Sequence, residues 1–203
     1  MIGLFGGTFN PIHVGHIRSA IDVGEILGLD QVRLMPANVP PHKNKPGVNS
    51  EHRAAMVKLA ITDIKGLEFE NIELQREEPS YTYETLKILS AKIDQPLVLV
   101  LGVDAFSGLP SWYRWEGILE LAHIAVLKRP GSRMSVRSFP PQWVNERLTK
   151  KLHGSGGGIV KIASSRTEIS STTIRKKIRE GRSIRYLVPE TVETYIFENK
   201  LYS

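Results

Sequence analysis

His13 and His16 stand three apart in the stretch Gly6-Gly7-Thr8-Phe9-Asn10-Pro11-Ile12-His13-Val14-Gly15-His16, directly after the apolar run Ile2-Gly3-Leu4-Phe5. These residue types at this spacing suit phosphate chemistry. Leu4 and Phe5 end a predicted buried strand, and a helical pattern starts near Gly15. Between the two, Gly6 and Gly7 let backbone N–H groups approach an anion with no Cβ in the way. A helix start adds a partial positive charge of about half a unit and unpaired donors. Two imidazoles then face the same mouth. Plainer readings exist. A Gly-Gly after a strand is also an ordinary turn. A histidine pair three apart is half a metal site, but it lacks the intervening Glu of a metalloprotease helix and a third ligand. Either ring also suits a buried structural role.

Four further groups of residues carry chemistry. Ser170-Ser171-Thr172-Thr173 place four hydroxyls at a helix start, with Arg175 in its first turn. Hydroxyls, open N–H groups and a forked cation make an anion site, although, taken alone, ordinary capping by Ser170 or Ser171 is the better reading of the hydroxyls. Ile174 and Ile178, four apart, pack inward and hold Arg175 toward the mouth. In Asn38-Val39-Pro40-Pro41-His42-Lys43, two prolines stiffen a loop that can deliver the mobile charge of Lys43. Arg53, on the next helix, is a weaker candidate. Gly102-Val103-Asp104 ends the strongest strand, where a carboxylate can bind a ribose hydroxyl or cap a helix. Tyr81 and Thr82, with Trp112 and Tyr113, flank loop prolines where aromatics can stack on a planar ring.

These groups need a scaffold, and the hydrophobic pattern supplies one. Strands are predicted at Ile2–Phe5, Gln31–Met35, Leu67–Leu74, Pro96–Gly102, His123–Leu127 and Ile159–Ala163. Helices are predicted at Gly15–Leu27, Glu51–Asp63 with Ser50 as cap, Thr82–Ile93, around Ala105, Trp115–Ala122, Gln142–Leu152, Ser171–Glu180 and Pro189–Asn199. Gly28 is a helix stop, Pro36–Asn49 a long polar loop suited to closing on substrate, and Gly154–Gly158 a hairpin-like connection. Alternating strands and helices give the fold class: α/β, Rossmann-like and doubly wound, with a mainly parallel sheet and helices on both faces. At 203 residues the chain fits a single domain with a helical C-terminal part from about residue 170.

Composition narrows the function. The chain is 41% hydrophobic and 24% charged, the balance of a globular protein that buries a core in water. It has no cysteine, which removes disulfides, thiolate zinc sites and cysteine nucleophiles and fits the cytoplasm. No membrane span and no secretory leader is expected. A net charge of +6 points to an anionic partner. Nucleic acid is one choice, and the run Arg175-Lys176-Lys177-Arg179-Arg182-Arg185 is compatible with it, but the aromatics lie elsewhere in the sequence.

The His13-Val14-Gly15-His16 stretch resembles the (H/T)xGH motif of the nucleotidylyltransferase superfamily, and Ile169-Ser170-Ser171-Thr172-Thr173-Ile174-Arg175 resembles its ISSTxIR segment. Within that superfamily the chain is most similar to the bacterial nicotinate mononucleotide adenylyltransferases. The resemblance runs in order along nearly the whole chain to Leu187-Val188-Pro189 and Tyr195-Ile196. It departs at Asn10, where many members carry Asp, and Ser132–Gln142 matches nothing in it.

The resemblance implies transfer of AMP from ATP to nicotinate mononucleotide, with Mg²⁺ carried by the triphosphate and no metal site in the protein. It implies ATP contacts from Gly6, Gly7, Thr8, Phe9, His13, His16, Gly102, Asp104, Arg129, Ser171, Thr172, Thr173 and Arg175, with catalytic roles for His13, His16, Lys43 and Arg175. It implies mononucleotide contacts from Lys43, Tyr81, Thr82, Trp112 and Tyr113, with Trp112 on the pyridine ring. Thr82 and the Tyr113 N–H then meet the nicotinate carboxylate without help from an Arg or Lys. Nucleic acid and membranes are not expected partners. Rival acceptors are nicotinamide mononucleotide, phosphopantetheine or a CTP-dependent cytidylyl acceptor.

Overall fold

The computed structural model describes residues 1–38, 47–76, 79–128, 134–163 and 169–203. Six strands form one sheet: β1 (Ile2–Gly7), β2 (Gln31–Pro36), β3 (Leu67–Phe69), β4 (Leu97–Gly102), β5 (His123–Lys128) and β6 (Ile159–Ala163). Every pairing is parallel, in the order β3-β2-β1-β4-β5-β6. Alternate residues of a strand face opposite sides, so a strand buried on both faces must be apolar throughout. β4 shows this directly. Val98 and Val100 join one core, while Leu97, Leu99 and Leu101 join the other.

Helices cover the two faces. On the first lie α1 (Val14–Leu27), α2 (Ser50–Ile61), α7 (Ser171–Arg179) and α8 (Glu190–Glu198), contributing Ala20, Val23, Met56, Ile174 and Val192. On the second lie α3 (Thr82–Ser90), α4 (Val103–Ser107), α5 (Ile118–Leu121) and α6 (Trp143–Arg147), contributing Leu86, Phe106, Ile118 and Val144. Residues after 170 therefore share the first core with α1 and α2. Among the described residues no helix is long and apolar enough to cross a membrane.

The sequence reading departs from the structure at element edges. Leu67–Leu74 keeps only Leu67–Phe69 as strand, because Ile72–Gln75 coils into a turn closed by Leu74 N–H to Asn71 O at 2.9 Å. Asn49, not Ser50, caps α2, its side chain accepting from His52 N–H at 2.9 Å. Residues 142–152 hold one short helix rather than a long one, and Leu148 bridges instead to Ile159. The glycine-rich segment before β6 is no hairpin, since β6 runs parallel to β5. Gly28 does stop α1, in the left-handed conformation at φ 59° that glycine adopts without strain.

The sheet order reverses between β1 and β4, the switch point at which ligands bind in open α/β sheets. The strand ladders show the opening. β1 stays paired to β2 as far as Gly7 opposite Pro36, but to β4 only as far as Leu4 opposite Leu99. Beyond Leu4 the two central strands part, and the loop after β1 stands at the mouth of the gap.

Candidate active site

A cavity of about 890 Å³ opens at this mouth. Gly7, Thr8, Phe9, His13 and His16 line it from the loop after β1 and the start of α1, and Ser171, Thr172 and Arg175 line it from α7. Two motifs separated by some 160 residues of sequence thus converge, and side-chain hydrogen bonds to backbone hold them together. Arg175 Nη1 donates to the Asn10 carbonyl at 2.7 Å, and the Ser171 hydroxyl donates to the Pro11 carbonyl at 2.9 Å. Ile174 and Ile178 are buried, as their spacing predicted, which leaves Arg175 on the cavity side.

The imidazoles are held as a pair. His13 caps α1 with an extended backbone and is only 2% exposed. Its ring stacks on His16 with centroids 3.6 Å apart and planes 23° apart. Phe9 meets the His16 ring edge-on at 5.1 Å. Phe9 itself is buried and takes a left-handed φ of 46°. Its ring also explains Gly7: a Cβ there would lie 2.9 Å from Phe9 Cζ. Gly7 is therefore required by the aromatic packing beneath it. Gly6 is the glycine with room, where a Cβ would touch only the Met35 methyl at 3.6 Å.

The residues of the hydroxyl cluster take different places. Ser170 is the helix cap, accepting from Thr173 N–H at 3.1 Å. The Thr173 hydroxyl pairs with Ser170 Oγ at 2.9 Å and lies outside the cavity lining, unlike the ATP contact expected of it. Thr172 lines the cavity and receives Arg175 Nη2 at 3.3 Å.

Arg53 is not placed to meet a phosphate. It is 1% exposed and donates to the Thr8 carbonyl at 2.9 Å and the Asn38 carbonyl at 3.1 Å, so it braces the main chain of the glycine loop. Burial lowers its basicity, with the nearby Tyr202 phenol acting the other way. Gly102 lies exposed at the carboxyl end of β4, and Asp104 stands exposed in the first turn of α4. Gly102 is the cap position there, so Asp104 is not the cap, and neither residue lines the cavity. Lys43 and Arg129 lie outside the described residues.

The aromatic group assembles beside α3. Tyr81 and Tyr113 rings are 4.9 Å apart, and Trp112 packs partly buried against the second core. Tyr81 caps α3 with no side-chain hydrogen bond, so among the described residues no side chain caps the N–H groups at the helix start, beginning with Thr82. A cation stands beside these rings. The Arg114 guanidinium lies 5.4 Å over the Tyr83 ring and 5.6 Å over Tyr113. It escaped the sequence reading because its position depends on a left-handed backbone at φ 49°.

Tyr202 escaped too. Its hydroxyl donates to Asn10 Oδ1 at 2.7 Å, and it lines the cavity with Arg179 and the Gly47-Val48 pair. Burial pushes its phenol upward, while Arg175 and Arg53 pull it down. An aromatic following a terminal helix carries no local sign of such a contact. The basic run after Arg175 is also different from expectation: Tyr186 stands 81% exposed beside Arg185, whose guanidinium lies 5.6 Å from its ring. Lys176 and Arg182 pair with Glu180.

A switch-point crevice presenting backbone donors, imidazoles and a guanidinium marks a protein that handles nucleotide phosphates. Comparison with known proteins narrows the class. Residues 4–177 match the model of the cytidylyltransferase-like family. A Pseudomonas aeruginosa protein described as "Probable nicotinate-nucleotide adenylyltransferase" is 42% identical over 99% of this chain and 96% of its own length. A Pseudomonas putida protein of the same description is 41% identical over 99% and 94%. The structure of Plasmodium falciparum nicotinic acid mononucleotide adenylyltransferase complexed with NaAD superposes with a TM-score of 0.77 at 18% identity, covering 99% of this chain and 96% of that one, a likeness of fold. The chain belongs to the cytidylyltransferase-like family, among the nicotinate-nucleotide adenylyltransferases.

Proposed function

We propose that this protein transfers the adenylyl group of ATP to nicotinate mononucleotide, forming deamido-NAD and releasing pyrophosphate. The observation that carries the site assignment is the convergence of His13, His16, Thr172 and Arg175 on one cavity at the sheet's switch point. We take residues 1–203 as one nucleotidylyltransferase domain working in the cytoplasm.

The chemistry asks little covalent help from the protein. A phosphate monoester has a second pKa near 6, so the mononucleotide phosphate is largely dianionic at pH 7 and needs no general base. One of its oxygens forms a bond to the α-phosphorus of ATP, and the bond from that phosphorus to the bridging oxygen of the departing pyrophosphate breaks. Alignment and charge neutralisation are the remaining tasks. His16 donates to the α-phosphate, and the stacked His13 fixes its ring. Arg175, Ser171 and Thr172 hold the triphosphate from the other wall. We assign Lys43 to bridge phosphates and Arg129 to flank the adenine. ATP enters with a divalent cation, for which we assign Mg²⁺. Among the described residues no carboxylate side chain lines the cavity, so phosphate oxygens and water are its natural ligands. Gly102 and Asp104 serve the ribose.

For the acceptor, the open start of α3 supplies neutral donors and positive potential to a carboxylate at Thr82, with the Tyr113 N–H opposite. Trp112 stacks on the ring. The deciding experiment is pyrophosphate release with ATP and a panel of acceptors. Turnover with nicotinate mononucleotide well above that with nicotinamide mononucleotide, phosphopantetheine or a CTP-driven acceptor supports the assignment. Binding of DNA or RNA, with no pyrophosphate released from any acceptor, would refute it.

A further inference from the structure

Glu73 has no part in the chemistry above, yet it is a carboxyl only 5% exposed, and its neighbours run straight to both substrate sites. The Thr85 hydroxyl donates to its Oε1 at 3.1 Å, and the nearby Ser80 hydroxyl also favours the charged form of the carboxyl. Ser80 Oγ accepts from the Asn38 N–H at 3.3 Å, and Asn38 Nδ2 donates to the Arg76 carbonyl at 2.7 Å. The Asn38 carbonyl in turn accepts from Arg53, whose other terminal nitrogen holds the Thr8 carbonyl of the glycine loop. We infer that Glu73 is a positioning residue for the acceptor site: it fastens the Ser80-Tyr81-Thr82 turn at the open start of α3 and ties that turn, through Asn38 and Arg53, to the loop that holds the ATP phosphates. This inference rests on the function proposed above.

The two ends of the chain of contacts differ in how many other fasteners they have. The glycine loop is also held by Arg175, Ser171 and Tyr202. The Ser80–Thr82 turn lacks a side-chain cap at Tyr81, and its own backbone bonds are local, from Tyr81 N–H to Pro79 O and from Thr85 N–H to Tyr81 O. Losing Glu73 therefore loosens the acceptor side and spares the ATP side. Desolvation pushes the carboxyl up to about 7, against the two hydroxyls and the Arg76 charge. A group half protonated near neutrality can hold the Thr85 hydroxyl without placing a full negative charge beside an anionic acceptor.

Steady-state kinetics of Glu73→Ala and Glu73→Gln, with each substrate varied in turn, tests this. In Glu73→Ala the KM for nicotinate mononucleotide rises roughly tenfold, while kcat and the KM for ATP stay within about twofold, because a buried bond on the acceptor side alone is lost. Glu73→Gln keeps an acceptor for Thr85 and returns that KM to within about threefold of the parent. Equal rises in both KM values, a fall in kcat alone, no change, or a Gln variant as damaged as Ala overturns the inference. If Glu73→Ala does not fold, Ser80→Ala carries the test, with a selective rise of about threefold in the same KM. Absence of turnover in the unaltered protein would instead refute the proposed function, so the two failures are told apart.

Discussion

The cavity between the starts of α1 and α7 and the aromatic group beside α3 are built by opposite means. At the first, side chains grip main chain: Arg175, Ser171 and Arg53 all donate to carbonyls of residues 8–11, and the imidazoles are stacked and backed by Phe9. At the second, rings lean on rings, Tyr113 is 45% exposed, and a surface guanidinium covers two of them. A triphosphate is recognised by charge and needs rigid donors, so its site is cross-braced. A planar ring is recognised by contact area, which exposed aromatics supply with little bracing. The first region should therefore govern the rate and the second the choice and affinity of acceptor.

His16→Ala is the most severe way to break that division. Losing one donor aimed at developing charge should lower kcat about 100–1,000-fold, while the KM for the mononucleotide changes far less. Single-turnover measurement checks it. A near-normal kcat would remove His16 from the role and leave the cavity a binding site only.

The link between the regions can be probed through Glu73 and pH. Its folded value of about 7 lies above the ordinary 4.5, because burial opposes the charged form. Its stabilising contribution is therefore complete below about 4.5 and falls as pH rises toward 7. The span corresponds to an effect on the order of 3 kcal/mol. Urea unfolding of the parent and Glu73→Gln at pH 4.5, 6 and 7.5 should show the parent losing ground steadily relative to the variant. A constant difference would mean that the carboxyl ionises normally and the link is not buried in solution.

Arg175→Lys sharpens the account of the first region. Lysine keeps the charge but cannot reach Asn10 O and Thr172 Oγ1 together as a fork does. We expect a fall in kcat/KM for ATP of about 10–100-fold, the scale of a lost charged hydrogen bond. A variant within twofold of the parent would show that point charge alone suffices.

How much of this was legible in the sequence follows from range. The strands declared themselves because double burial forces unbroken apolar runs such as 97–101, and α1 and α7 because capping, stop and core-facing residues are local. The HxGH and hydroxyl–arginine motifs were legible as candidates for phosphate chemistry, and their convergence on one cavity follows from a sheet that gathers loops at one edge. Tyr202 and Glu73 were not legible, and Arg53 was legible only as a weaker phosphate candidate, not as a brace. Tyr202 and Arg53 act across the fold, on Asn10 and Thr8, while Glu73 matters through the links from Ser80 to Asn38 and Arg53. Gly7 was read as letting backbone N–H groups approach an anion, and the structure adds a constraint that the local sequence does not show: the Phe9 ring occupies the space a side chain there would take.

The smallest effect is expected in the second region. Trp112 packs partly buried against the second core, so Trp112→Ala removes both packing and a stacking face. Stacking between planar rings contributes about 0.5–1.5 kcal/mol beyond area burial, which converts to a rise of about 3–10-fold in the KM for the mononucleotide. The KM for ATP and kcat should hold, because Trp112 is not among the described residues that line the phosphate cavity. Trp112→Phe keeps a ring and should recover most of the loss. Thermal melting separates the packing cost from the binding cost: a lowered Tm with an unchanged KM would assign Trp112 to the core alone. A fall in kcat as deep as that of His16→Ala would erase the distinction between the two regions, since it would mean that ring placement and phosphate alignment form one rigid unit.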